Sequence, residues 1–292
     1  MQLLSQRIYA KQLRLFAFSC VHYGCETHDR DLFIEFLEQV ERSPNAIVFG
    51  LGDYLDFART TQRSFLKGYT NGDTFFDSLD KMVDDSIVLP FVQLVKKHCP
   101  SFSKKCVTLV EGNHRYNYGG RGREGQTSTQ EICRLLSIPY GGLSSIVRLT
   151  VLNSKGKSKM GGGRNLNVLS NHGTSGSGGS VSSAIGRLER SIIRGWRDMD
   201  IILSAHDHTR GHADIVQMGI SRTGEAKLIE YHTLVVKTGC FQKGYLKGAV
   251  SESFVEKHLF NPTARGWFEC TVRTKRTTKD RENEKWIFTD FN

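Results

Sequence analysis

Five short stretches of this chain each follow an apolar run with side chains that bind metals. SCVHYG holds Cys20 and His22, GLGDYLD holds Asp53 and Asp56, VEGNHR holds Asn113 and His114, SNHG holds His172, and SAHDH holds His206 and His208. Imidazole and carboxylate together suit zinc, manganese, iron or nickel. One carboxylate can bridge two such ions about 3.5–4 Å apart, an arrangement that stabilises in-line displacement at phosphorus. Residues two apart in a strand share a face, so the spacing predicts that Cys20 and His22 reach one point. Taken alone, the pair also reads as a half-buried cysteine beside a surface histidine.

Ligands this far apart in sequence need a scaffold that gathers strand ends. QLRLFAFS (12–19) and AIVFGLG (46–52) read as strands on either side of DRDLFIEFLEQVERS (29–43), whose apolar residues at 32, 33, 36, 37 and 40 follow a helical period. Strand, helix, strand in this order predicts a parallel βαβ unit. Further strands are expected at 105–112, 146–153, 167–173, 199–208, 231–239 and 267–275, and helices at 128–138 and 184–196. In open α/β sheets, sites lie at the carboxyl ends of strands, where these motifs fall. The glycine- and serine-rich run 172–183 reads either as a flexible loop or as backbone amides facing an anion at the following helix. Neither a repeat nor a linker divides the chain, so a single domain over 1–292 is expected. The partly polar helical stretch 57–98 reads as a cap insertion, a dimer surface or plain covering for a sheet.

The 292 residues are 38% hydrophobic and 24% charged, as in a globular protein. No apolar run approaches the length of a bilayer span, and the N-terminus lacks the apolar core of a secretory signal, so no membrane association and a cytoplasmic location are expected. Seven cysteines, an odd number with no CxxC pair, argue for free thiols in a reducing compartment. The net charge of +10 favours an anionic partner such as nucleic acid, or is simply a solvated basic surface.

In their order, CVH, GDYLD, GNHR, NHG and AHDH, the motifs resemble the DxH, GDxxD, GNH(D/E), H, GHxH series of the calcineurin-like metallophosphoesterases, over residues 20 to 208. The resemblance implies a four-layer α/β/β/α sandwich, with 146–153 and 215–240 in its second sheet. It implies two divalent cations (manganese, zinc, iron or nickel) and a phosphoester substrate, attacked by a metal-bridging hydroxide. His22 and His208 would bind the first cation, with Cys20 standing where the family has aspartate. Asp53 would bridge both ions, and Asn113, His172 and His206 would complete the second site. His114 would donate a proton or orient the phosphate, and Asn113 and His114 would contact the substrate.

Two residues depart from the family pattern. Cys20 is either a softer ligand that moves metal preference toward zinc or iron, or a non-ligand that weakens the first site. Arg115 replaces the acid that follows GNH; it can clamp a phosphate, and either Asp56 or Asp207 is left to orient His114. Arg121 and Arg123 are further candidates for substrate contact, and Tyr116 and Tyr118 either stack on a base or pack on protein. GGRGREG (119–125) reads as a mobile substrate loop or a surface loop. The expected activity is phosphodiester hydrolysis on a nucleotide or nucleic acid. A phosphomonoesterase, phosphoprotein phosphatases included, and a non-catalytic binding protein are the alternatives.

Overall fold

A computed structural model describes residues 1–57, 73–120, 122–152, 164–173, 180–190, 195–196, 198–220, 226, 228–248, 254–257, 262–274 and 286–291. Residues 58–72 of the helical stretch, Arg121, most of the lysine- and glycine-rich turn after 153, the serine–glycine run 174–179 and the basic run 275–281 lie outside them.

The strands are β1 (Gln2–Tyr9), β2 (Gln12–Phe18), β3 (Ala46–Gly50), β4 (Cys106–Leu109), β5 (Ser144–Leu152), β6 (Arg164–Asn171), β7 (Ile201–Ser204), β8 (Arg210–Ile220), β9 (Leu228–Thr238), β10 (Phe268–Thr274) and β11 (Trp286–Thr289). The helices used below are α1 (Arg30–Arg42), α2 (Asp73–Val83), α3 (Leu89–His98), α4 (Phe102–Lys105), α5 (Ser128–Leu136) and α6 (Val181–Leu188). A π-helical turn, Asp84–Val88, joins α2 to α3.

One sheet has the order β11-β10-β2-β3-β4 and the other β1-β5-β6-β7-β9-β8. Strands β2, β3 and β4 are parallel neighbours, and so are β6, β7 and β9. The predicted βαβ unit is therefore present as β2, α1 and β3. Period-two alternation splits β2 between two cores: Leu13, Leu15 and Ala17 face the other sheet, while Phe16 and Phe18 face the helices. Strand β6 likewise sends Leu166 and Val168 between the sheets and Leu169 toward Ile185 and Leu188 of α6. Three apolar layers in this order make a four-layer α/β/β/α sandwich.

The helical layer over the first sheet is aromatic. Phe33 and Phe36 of α1, Phe18 of β2, Phe91 of α3 and Phe241 meet with ring centroids 4.9–6.2 Å apart. Phe91, Val92, Leu94 and Val95 belong to this core, so the described end of the 57–98 stretch packs into the helical layer against α1 and α5.

Two sequence expectations need correction. Strand β2 stops at Phe18, before Cys20 and His22, so their shared reach does not come from strand alternation. The N-terminal strand β1, parallel to β5, was not expected. Only Leu4 and Ile8 of it pack on the inter-sheet core, too faint a pattern to stand out.

Phe36 is fully buried at the centre of the aromatic cluster. Phe36→Ala should lower stability by about 3–5 kcal/mol, measured by urea unfolding; a loss under about 1 kcal/mol would show that this cluster does not hold the helical layer.

Candidate metal centre

The parallel strands place their carboxyl ends along one edge of the sandwich. Cys20 and His22 follow β2, Asp53 and Asp56 follow β3, Asn113 and His114 follow β4, His172 follows β6, and His206 and His208 follow β7. The loops extend the ladders beyond the strands: Cys20 N–H donates to Gly52 O and His22 N–H to Asp53 O, both at 3.0 Å.

These loops are strained in one particular way. Among the described residues seven non-glycine residues have positive φ, and five of them are Cys20 (49°), His22 (49°), Asp53 (53°), His206 (77°) and His208 (54°). Each left-handed residue costs about 1–2 kcal/mol, which persists only where the surroundings over-determine it. Gly52 (φ 91°) and Gly112 make this packing feasible, because a Cβ on Gly112 would lie 2.0 Å from Asp53 Oδ1.

His172 carries the strongest chemical signal. Its Nδ1 is 2.6 Å from the Leu51 carbonyl oxygen, which can only accept, so Nδ1 holds the proton. The other ring nitrogen, Nε2, faces Asp53 Oδ2 at 2.9 Å, Asn113 Oδ1 at 3.0 Å and His206 Nδ1 at 3.0 Å. A proton on Nε2 could serve one of these three atoms; a cation among them would serve all. The second cluster has the same character. A ring nitrogen of His22, one of His208 and Cys20 Sγ lie within 4.8 Å of one another. His22 Nε2 is buried without a hydrogen-bond partner. The donor sets fit divalent cations with imidazole, carboxylate, amide and thiolate ligands.

The electrostatics agree. Burial pushes the Asp53 carboxyl up, but His172, then His22 and His114, outweigh it and hold the group well below the usual carboxylate range. Burial, then neighbouring imidazoles, pushes His206 down to about 4 and His208 down to about 3, so both are neutral near pH 7. Burial, and then the Asp53 charge, pushes the Cys20 thiol up.

Asp56 settles beside His114. One oxygen, Oδ1, lies 2.7 Å from His114 Nδ1 and 3.2 Å from His22 Nδ1. The His114 N–H donates to Asp53 Oδ1 at 2.9 Å. Asp207 is occupied elsewhere: buried Lys237 lies 2.9 Å from its Oδ2 and also donates to Ala205 O at 2.9 Å, which clamps both residues flanking His206. No sequence signal singled out Lys237, because it lies inside the apolar-looking strand β9.

Several expected substrate contacts point elsewhere. Tyr116 and Tyr118 are buried, and their hydroxyls donate to Asp80 and Asp84. Arg123 pairs with Asp84 and lies over the Tyr118 ring. Gly119 and Gly120 donate backbone N–H groups to Asp80, so the described part of the 119–125 run is anchored to the helical layer. Arg115 donates from Nη1 to Gly112 O at 2.9 Å, with Nε 3.1 Å from Glu111. It lines a cavity of about 520 Å³ with Asn113, Leu143, His172, Arg187 and Lys237. Among the described residues no helix is long and apolar enough to cross a membrane.

No protein-family model and no curated protein matches the chain. Solved structures similar to it include a conserved uncharacterized protein and predicted phosphoesterase from Streptococcus pneumoniae TIGR4, 10% identical with a TM-score of 0.30, covering 89% of this chain and 82% of that one. Vps29 from Chaetomium thermophilum is 11% identical with a TM-score of 0.32, covering 97% of each chain. A single mutant of Vps29 from Entamoeba histolytica is 10% identical with a TM-score of 0.28, covering 96% of this chain and 100% of that one. Function is therefore read from the side chains themselves.

Two outcomes follow from the geometry. Gly112→Ala should displace Asp53 and reduce bound metal, read by elemental analysis of the purified protein; full metal content in the variant would contradict the close approach. In metal-free protein, His206 and His208 stay neutral down to about 4 and about 3, whereas in the unfolded chain they take up protons below 6.5. The unfolded chain then binds more protons in that window, so stability should fall as pH drops from 6.5 toward 4. Urea unfolding with a chelator present checks this, and a His206→Asn, His208→Asn double variant should show a shallower slope.

Proposed function

We propose that the chain is a metal-dependent phosphoester hydrolase, with a phosphodiester of a nucleotide or nucleic acid as its substrate. The observation that carries this reading is the set of three ligand-type atoms around His172 Nε2. Two divalent cations, one at Cys20, His22 and His208 and one at Asp53, Asn113, His172 and His206, would supply Lewis acidity toward the phosphoryl group and activate the attacking water.

The protein's own groups do the rest. His114 gives its Nδ1–H to Asp56, which leaves Nε2 for the leaving oxygen of the substrate. Burial raises the Asp56 carboxyl, but His114 and then His22 outweigh it and keep it ionised, so it favours the imidazolium that protonates the leaving group. Arg115, fixed by Glu111 and the Gly112 carbonyl, is a preset cation at the cavity wall. Arg187 and Lys237 line the same wall beside their shared partner Asp207. A volume near 520 Å³ suits a ligand of nucleotide size. With Tyr116, Tyr118 and Arg123 turned into the protein, support for a polymeric substrate rests on net charge alone.

A non-catalytic binding protein built on the same centre is the second reading. Arg115 favours it, since two of its donor groups already serve Glu111 and Gly112.

After loading with manganese, zinc, iron or nickel, the protein should hydrolyse bis-p-nitrophenyl phosphate faster than p-nitrophenyl phosphate. His114→Ala should lower kcat about 10²- to 10⁴-fold with metal content unchanged, and Asp56→Asn should lower it in the same direction. Metal-loaded protein without turnover on either ester would leave the binding reading; the reverse substrate order would make it a phosphomonoesterase.

A further inference from the structure

Cys20 occupies a position that neither cluster alone explains. Two groups of ligand atoms, each mutually within 4.8 Å, contain its sulfur: Cys20 with His22 and His208, and Cys20 with Asp53 and His172. Its Sγ is the one atom common to both. Asp53 falls in only one of these two groups. The other six cysteines occur in none of the ligand clusters among the described residues.

The backbone aims this sulfur and holds it. Cys20 is fully buried and left-handed, with its N–H bonded to Gly52 O and its carbonyl accepting from Phe241 N–H, both at 3.0 Å. The loops after β3 and β9 thus pin it from both sides. A second, independent observation points to a ligand: His22 Nε2 is buried with no partner, although the other nitrogen of that ring is used by Asp56.

We propose that the Cys20 thiolate is shared between the two cations, and that the centre therefore selects thiophilic ions such as zinc, iron(II) and cobalt(II) over magnesium and manganese. This rests on the metallohydrolase reading above. Thiolate is a large, polarisable donor that suits zinc and iron, whereas carboxylate-only positions suit magnesium and manganese. On metal binding the sulfur–hydrogen bond breaks, the electron pair goes to the metal bond and the proton leaves to solvent.

The test is absorbance titration of chelator-treated, full-length protein with cobalt(II). A near-ultraviolet thiolate-to-cobalt charge-transfer band should grow with the first equivalent and change again in position or intensity with the second. Cys20→Ser and Cys20→Asp should lack the band while keeping the visible absorption of histidine-bound cobalt. In Cys20→Asp, the preference for zinc over manganese in competition should fall on the order of tenfold or more. A band complete after one equivalent and indifferent to the second would make the thiolate a ligand of one ion and overturn the sharing. Two cobalt ions without the band would remove Cys20 from the centre and leave the hydrolase reading intact. Failure to bind cobalt at all would bring down both.

Discussion

A buried carboxylate must meet positive charge, and the edge of this sandwich is organised around that need at Asp53. Its side chain is almost fully buried, faces His172 and receives the His114 backbone N–H. An isolated charge in such a place would be prohibitive. Histidines from three different strand ends surround it, and their tautomers decide how they compensate. Because Leu51 O takes the Nδ1 proton of His172, the other nitrogen is left to face Asp53, Asn113 and His206. A cation among these atoms would turn them into a ligand shell.

Holding these groups together requires a rigid frame, and the backbone shows its cost. Five of the seven left-handed non-glycine residues among those described are the candidate ligands Cys20, His22, Asp53, His206 and His208. Ladder hydrogen bonds that run past the strand ends restrain the first three. Lys237 restrains the last loop through Asp207 and the Ala205 carbonyl. A lysine buried in β9 is costly to desolvate, but removing one partner of such a pair would leave an unpaired buried charge. The pair's use lies in fixing two histidines that converge from one short loop.

The helical layer performs the opposite task of keeping polar groups away from the centre. Asp80 and Asp84, at the junction of α2 and the π-helical turn, gather Tyr116, Tyr118, Gly119, Gly120 and Arg123. Residues that follow GNH and look suited to substrate are spent on anchoring their own loop. The cavity wall pairs both signs, Arg115 with Glu111, and Arg187 and Lys237 with Asp207.

Sequence by itself determined the metal-binding residue types, their order and their placement after apolar runs, and with them the βαβ unit. These are local properties: alternation within a strand, a helical period and a turn of small residues after a buried run leave their mark on neighbouring letters. It did not determine which atoms meet. That His114 is oriented by Asp56 and not Asp207, that Lys237 braces the histidine pair, that Tyr116 and Arg123 turn inward, and that Cys20 reaches both ligand groups are contacts between residues tens of positions apart. The tertiary structure decided them, because folding brings distant elements together, and at the strand ends positive φ at Cys20, His22, Asp53, His206 and His208 turns side chains away from the alternation that a strand would impose. Even Cys20 and His22 converge for that reason and not for their spacing.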